Sequence, residues 1–133
     1  MSDFLNDYIK FVDYTTSEPS RDLDTFMDMQ HILEENGWPA QRLITAAMGL
    51  SAESGEFTEI VKKIMFQGKP MDDDTRNHMI REMGDVVWYL AQACIALNVS
   101  LKEVIDTNIV KLEARYPNGF SAFDSENRKE GDL

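Results

Sequence analysis

Residues 40–66 read AQRLITAAMGLSAESGEFTEIVKKIMF, and the spacing of apolar residues in this stretch decides the fold. At about 100° per residue with Leu50 at zero, Leu43, Ala46, Ala47, Phe57, Val61 and Ile64 fall within about 60° of it. That is one stripe on a long helix, bounded by Gly37-Trp38-Pro39 on one side and Gly68-Lys69-Pro70 on the other. Glu53 falls inside the stripe, and Glu56 borders it beside Gly49 and Ile60. An ionised carboxylate on a core-facing stripe costs several kcal/mol unless a cation or hydrogen bonds compensate.

Further breakers at Pro19, Asn98–Ser100 and Pro117-Asn118-Gly119 divide the chain into helical pieces at roughly 3–15, 22–36, 40–66, 73–97 and 101–116. Asp72, Asp73 and Asp74 suit the start of the fourth helix, and Ser100 caps the fifth. No stretch alternates apolar and polar residues in the way of a half-buried strand. The expected fold is all-α, an antiparallel bundle of four to five helices, with a single domain over 1–120 and a polar tail over 121–133.

The fourth helix repeats the anomaly of the third. Its expected core stripe runs through Met79, Met83, Val87, Leu90 and Cys94. Glu82 and Asp85 project onto a neighbouring face with Tyr89, Ala93 and Ala96. After Val86 this helix is apolar nearly all round, so that second face must also be covered, by another helix or another subunit. Two E-x-x-[DE] pairs on two helices of one bundle could converge. Four such carboxylates repel, and hard divalent cations resolve that repulsion; the alternative is that the acids face solvent or pair with Arg76, Arg81 or Lys63. The two histidines, His31 and His78, lack complementary spacing, which favours Mg²⁺ or Mn²⁺ over zinc. Spacing alone is weak, because Glu103 and Asp106 are equally spaced without lying on a core face. On the fifth helix, Asn108 and Arg115 fall within the face of Leu101, Val104, Ile105 and Leu112, with Lys111 at its edge. Inward Asn, Lys and Arg suit hydrogen bonding to a base or phosphate, or a structural role in register and ion pairing.

Composition bounds the class. With 24 acidic against 13 basic side chains, the formal net charge is −11. That disfavours nucleic acid and anionic membranes as partners. The single cysteine, Cys94, excludes a disulfide framework and suits a reducing compartment. No apolar run from Met1 to Phe11 resembles a signal peptide, and a cytoplasmic location is expected.

Three segments together resemble the MazG-like nucleotide pyrophosphohydrolases: Gly49 through Glu56, Glu82 through Leu90, and Asn108 through Phe120, within a likeness running from Ala40 to Arg128. The resemblance implies an all-α fold, a homodimer or homotetramer, and hydrolysis of a nucleoside triphosphate substrate to monophosphate and pyrophosphate. It implies Mg²⁺, with Mn²⁺ as an alternative, bound by Glu53, Glu56, Glu82 and Asp85. It assigns Glu53 and Glu56 to catalysis as well. Lys63, Lys111 and Arg115 would hold the leaving pyrophosphate, and Trp38, Phe66 and Tyr89 are candidates for stacking on the base. Many members carry a further glutamate immediately before the position of Glu53; here it is Ala52, so the general base does not carry over. The competing readings are a non-catalytic acidic helical nucleotide-binding or interaction protein and a di-iron carboxylate bundle. The latter needs two Glu-x-x-His pairs, and only Asp28-x-x-His31 comes near.

Overall fold

The breakers fall where the chain turns. In the computed structural model, which describes residues 3–128, the order is α1 (Phe4–Thr15), a 3₁₀ turn (Glu18–Ser20), α2 (Leu23–Glu35), α3 (Ala40–Gln67), α4 (Asp73–Leu97), α5 (Leu101–Arg115) and α6 (Ala122–Glu126). Beyond the helices there is one isolated bridge, Pro117 to Gly119, and the fold is all-α among the described residues. The five expected pieces match α1 to α5 within two residues at each end. The expected polar tail contains the short helix α6, capped by Ser121 accepting from the Asp124 N–H; residues 129–133 of that tail, like Met1 and Ser2, lie outside the described residues.

The chain forms two compact units, Met1–Ile44 and Thr45–Leu133. In the first, α2 packs on the 3₁₀ turn. Asp22 caps α2 by accepting from the Thr25 N–H at 2.8 Å. The turn into α3 is built by Gly37 at φ 81°, by the Trp38 N–H reaching the Leu33 carbonyl, and by the Pro39 carbonyl receiving the Arg42 and Leu43 N–H groups. Residues of α1 such as Phe4, Leu5 and Ile9 are exposed.

The second unit is organised by α3 and α4. Asp72 caps α4 through the Thr75 N–H at 2.8 Å, as the run of aspartates suggested. The two helices are antiparallel: Gly49 meets Tyr89, and one turn further along α3, Glu53 meets Asp85 one turn further back along α4. On α3, Ala46, Gly49 and Ile60 are buried, with Glu53 and Phe57 half-buried between them, so Glu53 does lie in the apolar stripe. On α4 both expected faces are covered in part. Of the expected core stripe Cys94 is buried and Met79 and Leu90 are half-buried, whereas Met83 and Val87 are more than half exposed; on the second face Glu82, Tyr89 and Ala93 are half-buried and Ala96 is buried. The division is steric: α4 presents to α3 the face that carries Tyr89, and Gly49 makes the room for it.

The turn after α4 bends the chain by 94° into α5. Asn98 ends α4 in the left-handed region at φ 52°, and the Val99 N–H closes on the Cys94 carbonyl at 3.0 Å. Ser100 caps α5 by accepting from the Glu103 N–H. No residue of α5 is buried, and its expected inner face is only partly covered, with Val104 36%, Leu112 39% and Leu101 42% exposed.

Asparagine tolerates the left-handed region, whereas other residues with a side chain strain there by about 1–2 kcal/mol. Asn98→Ala is expected to cost about 1 kcal/mol in urea unfolding, and Asn98→Gly to be neutral or slightly stabilising.

Candidate metal centre

Glu53, Glu82 and Asp85 each offer one carboxylate oxygen, and the three oxygens lie within 4.8 Å of one another. Helix periodicity builds this. Glu82 and Asp85 are three residues apart on α4 and so share a face, which the antiparallel register turns toward Glu53. Glu53 and Glu82 are half-buried, and Asp85 is exposed at the rim. Glu56, the fourth expected ligand, is exposed one turn beyond Glu53. It is close enough for its charge to act on Glu53, but it stands outside the group of three.

The electrostatics follow from this placement. The Glu53 carboxyl is held above its ordinary value of 4.5, first by desolvation and then by repulsion from Asp85, Glu82 and Glu56. His78, one turn before Glu82, has Nε2 at 2.9 Å from Glu82 Oε1; the Glu82 side chain is only 13% exposed. The imidazole thus stands against one oxygen of that carboxylate. An all-oxygen, acid-only donor set fits a hard divalent cation such as Mg²⁺ or Mn²⁺.

A groove of about 610 Å³ opens beside the cluster, lined by Lys69, Pro70, Asp72, Asp74, Thr75, His78, Arg81, Glu82 and Asp85. Thr75, His78, Arg81, Glu82 and Asp85 recur at spacings of three and four on α4, forming one polar stripe along a helix that is otherwise largely apolar. This brings Lys69 and His78 next to the acids, which was not expected, together with Arg81, one of the basic residues expected as a pairing partner for them. The signal was present in the recurrence of 78, 81, 82 and 85 on one face.

The remaining expected site residues are placed as follows. Lys63 is half-exposed and ion-paired with Glu59 at 2.9 Å. Tyr89 is half-buried, its ring against Gly49 and edge-to-face with Trp88 at 4.9 Å between centroids. Asn108 and Lys111 are exposed on α5, outside the groove lining. Arg115 is half-buried, with its guanidinium 5.9 Å from the Tyr116 ring centroid. Trp38 belongs to the first unit, in the turn before α3, and is 43% exposed; Phe66 is exposed near the end of α3. Among the described residues, no single helix is long and apolar enough to cross a membrane.

A family model described as the MazG nucleotide pyrophosphohydrolase domain matches residues 41–120. That span contains all four expected metal carboxylates and Asn108, Lys111 and Arg115, and it excludes Trp38. The chain is also similar to the Gene 37 protein of Mycobacterium phage L5, at 37% identity over 82 residues, which are 61% of this chain and 72% of that protein. No solved structure matches.

A carboxyl with raised proton affinity in the folded state holds more proton there than in the unfolded chain, so its contribution to stability falls as pH rises above 4.5. Asp22, Glu59 and Asp72 are shifted the other way, and their contributions are lost only as pH falls through their lowered values. In chelator, Glu53→Gln should therefore melt above wild type at pH 7, with the gap closing toward pH 4.5. The three opposing groups are common to both proteins and cancel in the difference. Differential scanning fluorimetry across that range checks the sign.

Proposed function

This chain belongs to the MazG nucleotide pyrophosphohydrolase domain family, and we propose that it cleaves nucleoside triphosphates to the monophosphate and pyrophosphate with Mg²⁺ or Mn²⁺. The observation that carries the reading is the convergence of Glu53, Glu82 and Asp85 from two helices, with Glu53 half-buried in a stripe that is otherwise apolar. These three residues would hold the cation, with Glu56 beside them. A divalent cation so held supplies charge neutralisation of the phosphates and a lowered pKa for the attacking water.

The chain's own groups then divide the work. Half-buried Glu53 and Glu82 form the inner wall, where partial exclusion of water strengthens every charge interaction. Asp85 at the rim faces the incoming phosphate. Lys69 and Arg81 stand in the same groove and offset the charge of a polyphosphate chain that the net charge of −11 would otherwise repel. Lys63 is already paired with Glu59, which makes it the weaker candidate for the leaving pyrophosphate. With Ala52 in place of a further acid, proton removal from water falls to the carboxylates present, among which Glu56 stands beside Glu53 but outside the group of three that would hold the cation.

Asn108, Lys111 and Arg115 reach a nucleotide in this reading only if α5 packs over a site. The partly covered face of α5 and the exposed Met83, Val87 and Ile95 of α4 favour a homodimer or homotetramer, in which a second copy covers apolar surface left open here. A nucleotide-binding protein of the same fold that does not cleave its ligand is the second reading, and Ala52 is the feature that favours it.

Incubation with a panel of ribo- and deoxyribonucleoside triphosphates should release pyrophosphate and monophosphate only with Mg²⁺ or Mn²⁺. Orthophosphate with a diphosphate product would refute the assigned bond, and binding without turnover would favour the second reading. Glu53→Gln and Asp85→Asn should each lower turnover by at least a hundredfold. Glu103→Gln should leave it unchanged, because Glu103 is exposed and its backbone N–H serves only the Ser100 cap. Light scattering should give a dimer or tetramer at micromolar concentration, and a stable, active monomer would overturn the oligomeric assignment.

A further inference from the structure

A β-carbon built on Gly49 would fall inside the van der Waals envelope of the Tyr89 ring, with Cγ, Cδ1 and Cε1 its nearest neighbours. The ring therefore rests on the backbone of α3, at a point where any side chain would stop it. Trp88 stands edge-on to the same ring, with interplanar angle 86° and centroids 4.9 Å apart. Gly49 precedes Glu53 by four residues on α3, and Asp85 precedes Tyr89 by four on α4. In an antiparallel pair these offsets put the Gly49–Tyr89 crossing one helical turn from the place where Glu53 faces Asp85 and Glu82.

We infer that Gly49 and Tyr89 are a positioning pair that sets the helix separation at which Glu53, Glu82 and Asp85 share one cation. The inference rests on the reading of those three carboxylates as metal ligands. Neither Gly49 nor Tyr89 touches the metal in this account. A methyl group at position 49 needs roughly 3.5–4.0 Å to the ring carbons, so the ring, and α4 with it, must shift by roughly 1–2 Å. Ligand distances around Mg²⁺ tolerate only about 0.2 Å. Opening the crossing therefore removes a carboxylate from reach before it unfolds a helix. Tyr89 contributes its ring plane here, not its hydroxyl.

Mn²⁺ binding, followed by electron paramagnetic resonance of the free ion, tests this without turnover. Wild type should bind Mn²⁺ and Glu53→Gln should not; a wild type that binds none would sink the metal reading itself, separately from the positioning pair. Given binding by wild type, Gly49→Ala should weaken it at least tenfold while circular dichroism keeps its helical signal. Unchanged affinity in a folded Gly49→Ala protein would overturn the inference, because a purely structural glycine lowers stability and leaves the folded protein's affinity alone. Tyr89→Phe should bind within threefold of wild type, and a tenfold loss there would overturn it by pointing to the hydroxyl. The double variant Gly49→Ala with Tyr89→Ala, which exchanges the ring for room, should recover binding to within threefold of wild type. If Gly49→Ala alone does not fold, the double variant decides: recovery of folding and binding supports the pair, and failure of either refutes it.

Discussion

Tyr89 can rest against α3 only because position 49 carries no side chain, and much of the second unit follows from that one steric allowance. It selects which face of α4 turns inward. With Tyr89 seated, Glu82, Ala93 and Ala96 come to the buried side, and Met83 and Val87 are left outside. It also sets the register, since a crossing at 49 and 89 in antiparallel helices brings 53 opposite 85. The carboxylates are thus brought together by packing a turn away, against their own mutual repulsion.

That repulsion separates these acids from the others in an acidic chain. Glu59 pairs with Lys63 and Asp106 with Lys102, each one turn away on its own helix. Asp22 and Asp72 cap helices. Those acids have ordinary structural uses, and pairing or hydrogen bonding holds Glu59, Asp22 and Asp72 in the charged form. None of the ion pairs found among the described residues includes Glu53 or Asp85, and Glu53 instead resists ionisation. A cluster that raises the energy of the metal-free fold is stabilised by whatever cation it binds, so stability and ligand affinity are linked at this site.

How far the sequence revealed this depends on how many faces each helix offers. Glycine and proline positions, with Asp72 and Asn98–Ser100, gave the ends of the helices, and projection at 100° per residue put Glu53 among Ala46, Phe57 and Ile64, where it lies. On α4 the same projection had two apolar stripes to choose from, because the helix is apolar on most sides after Val86, and hydrophobicity carries no information about which stripe meets α3. The deciding signal was the size of the opposing residue, Gly49, which in a helix reads at first only as a loss of about 1 kcal/mol relative to alanine. For α5 the sequence showed an amphipathic face but not what covers it, and among the described residues that face is only partly covered. Arg81 was legible from helical spacing, four residues before Asp85, whereas the relation of Lys69 to the acids comes from the path of the turn between α3 and α4.

The position of the cluster along the helices has a mechanical logic. Two helices held at one crossing can still pivot about it, and the displacement of a side chain grows with its distance from the pivot. Glu53 is one turn from Gly49, roughly 6 Å along the axis, so a 10° change in crossing angle moves it by roughly 1 Å. Gln67, at the end of α3, lies roughly 27 Å from the same point and would move by roughly 5 Å. A site that must hold oxygens at metal-ligand distances is best built near the pivot, where packing errors are least amplified. An acid pair of equal spacing near the end of a long helix would have the right chemistry and the wrong leverage. Glu56, one turn farther from the crossing and exposed, lies outside the tight group while its charge still reaches Glu53.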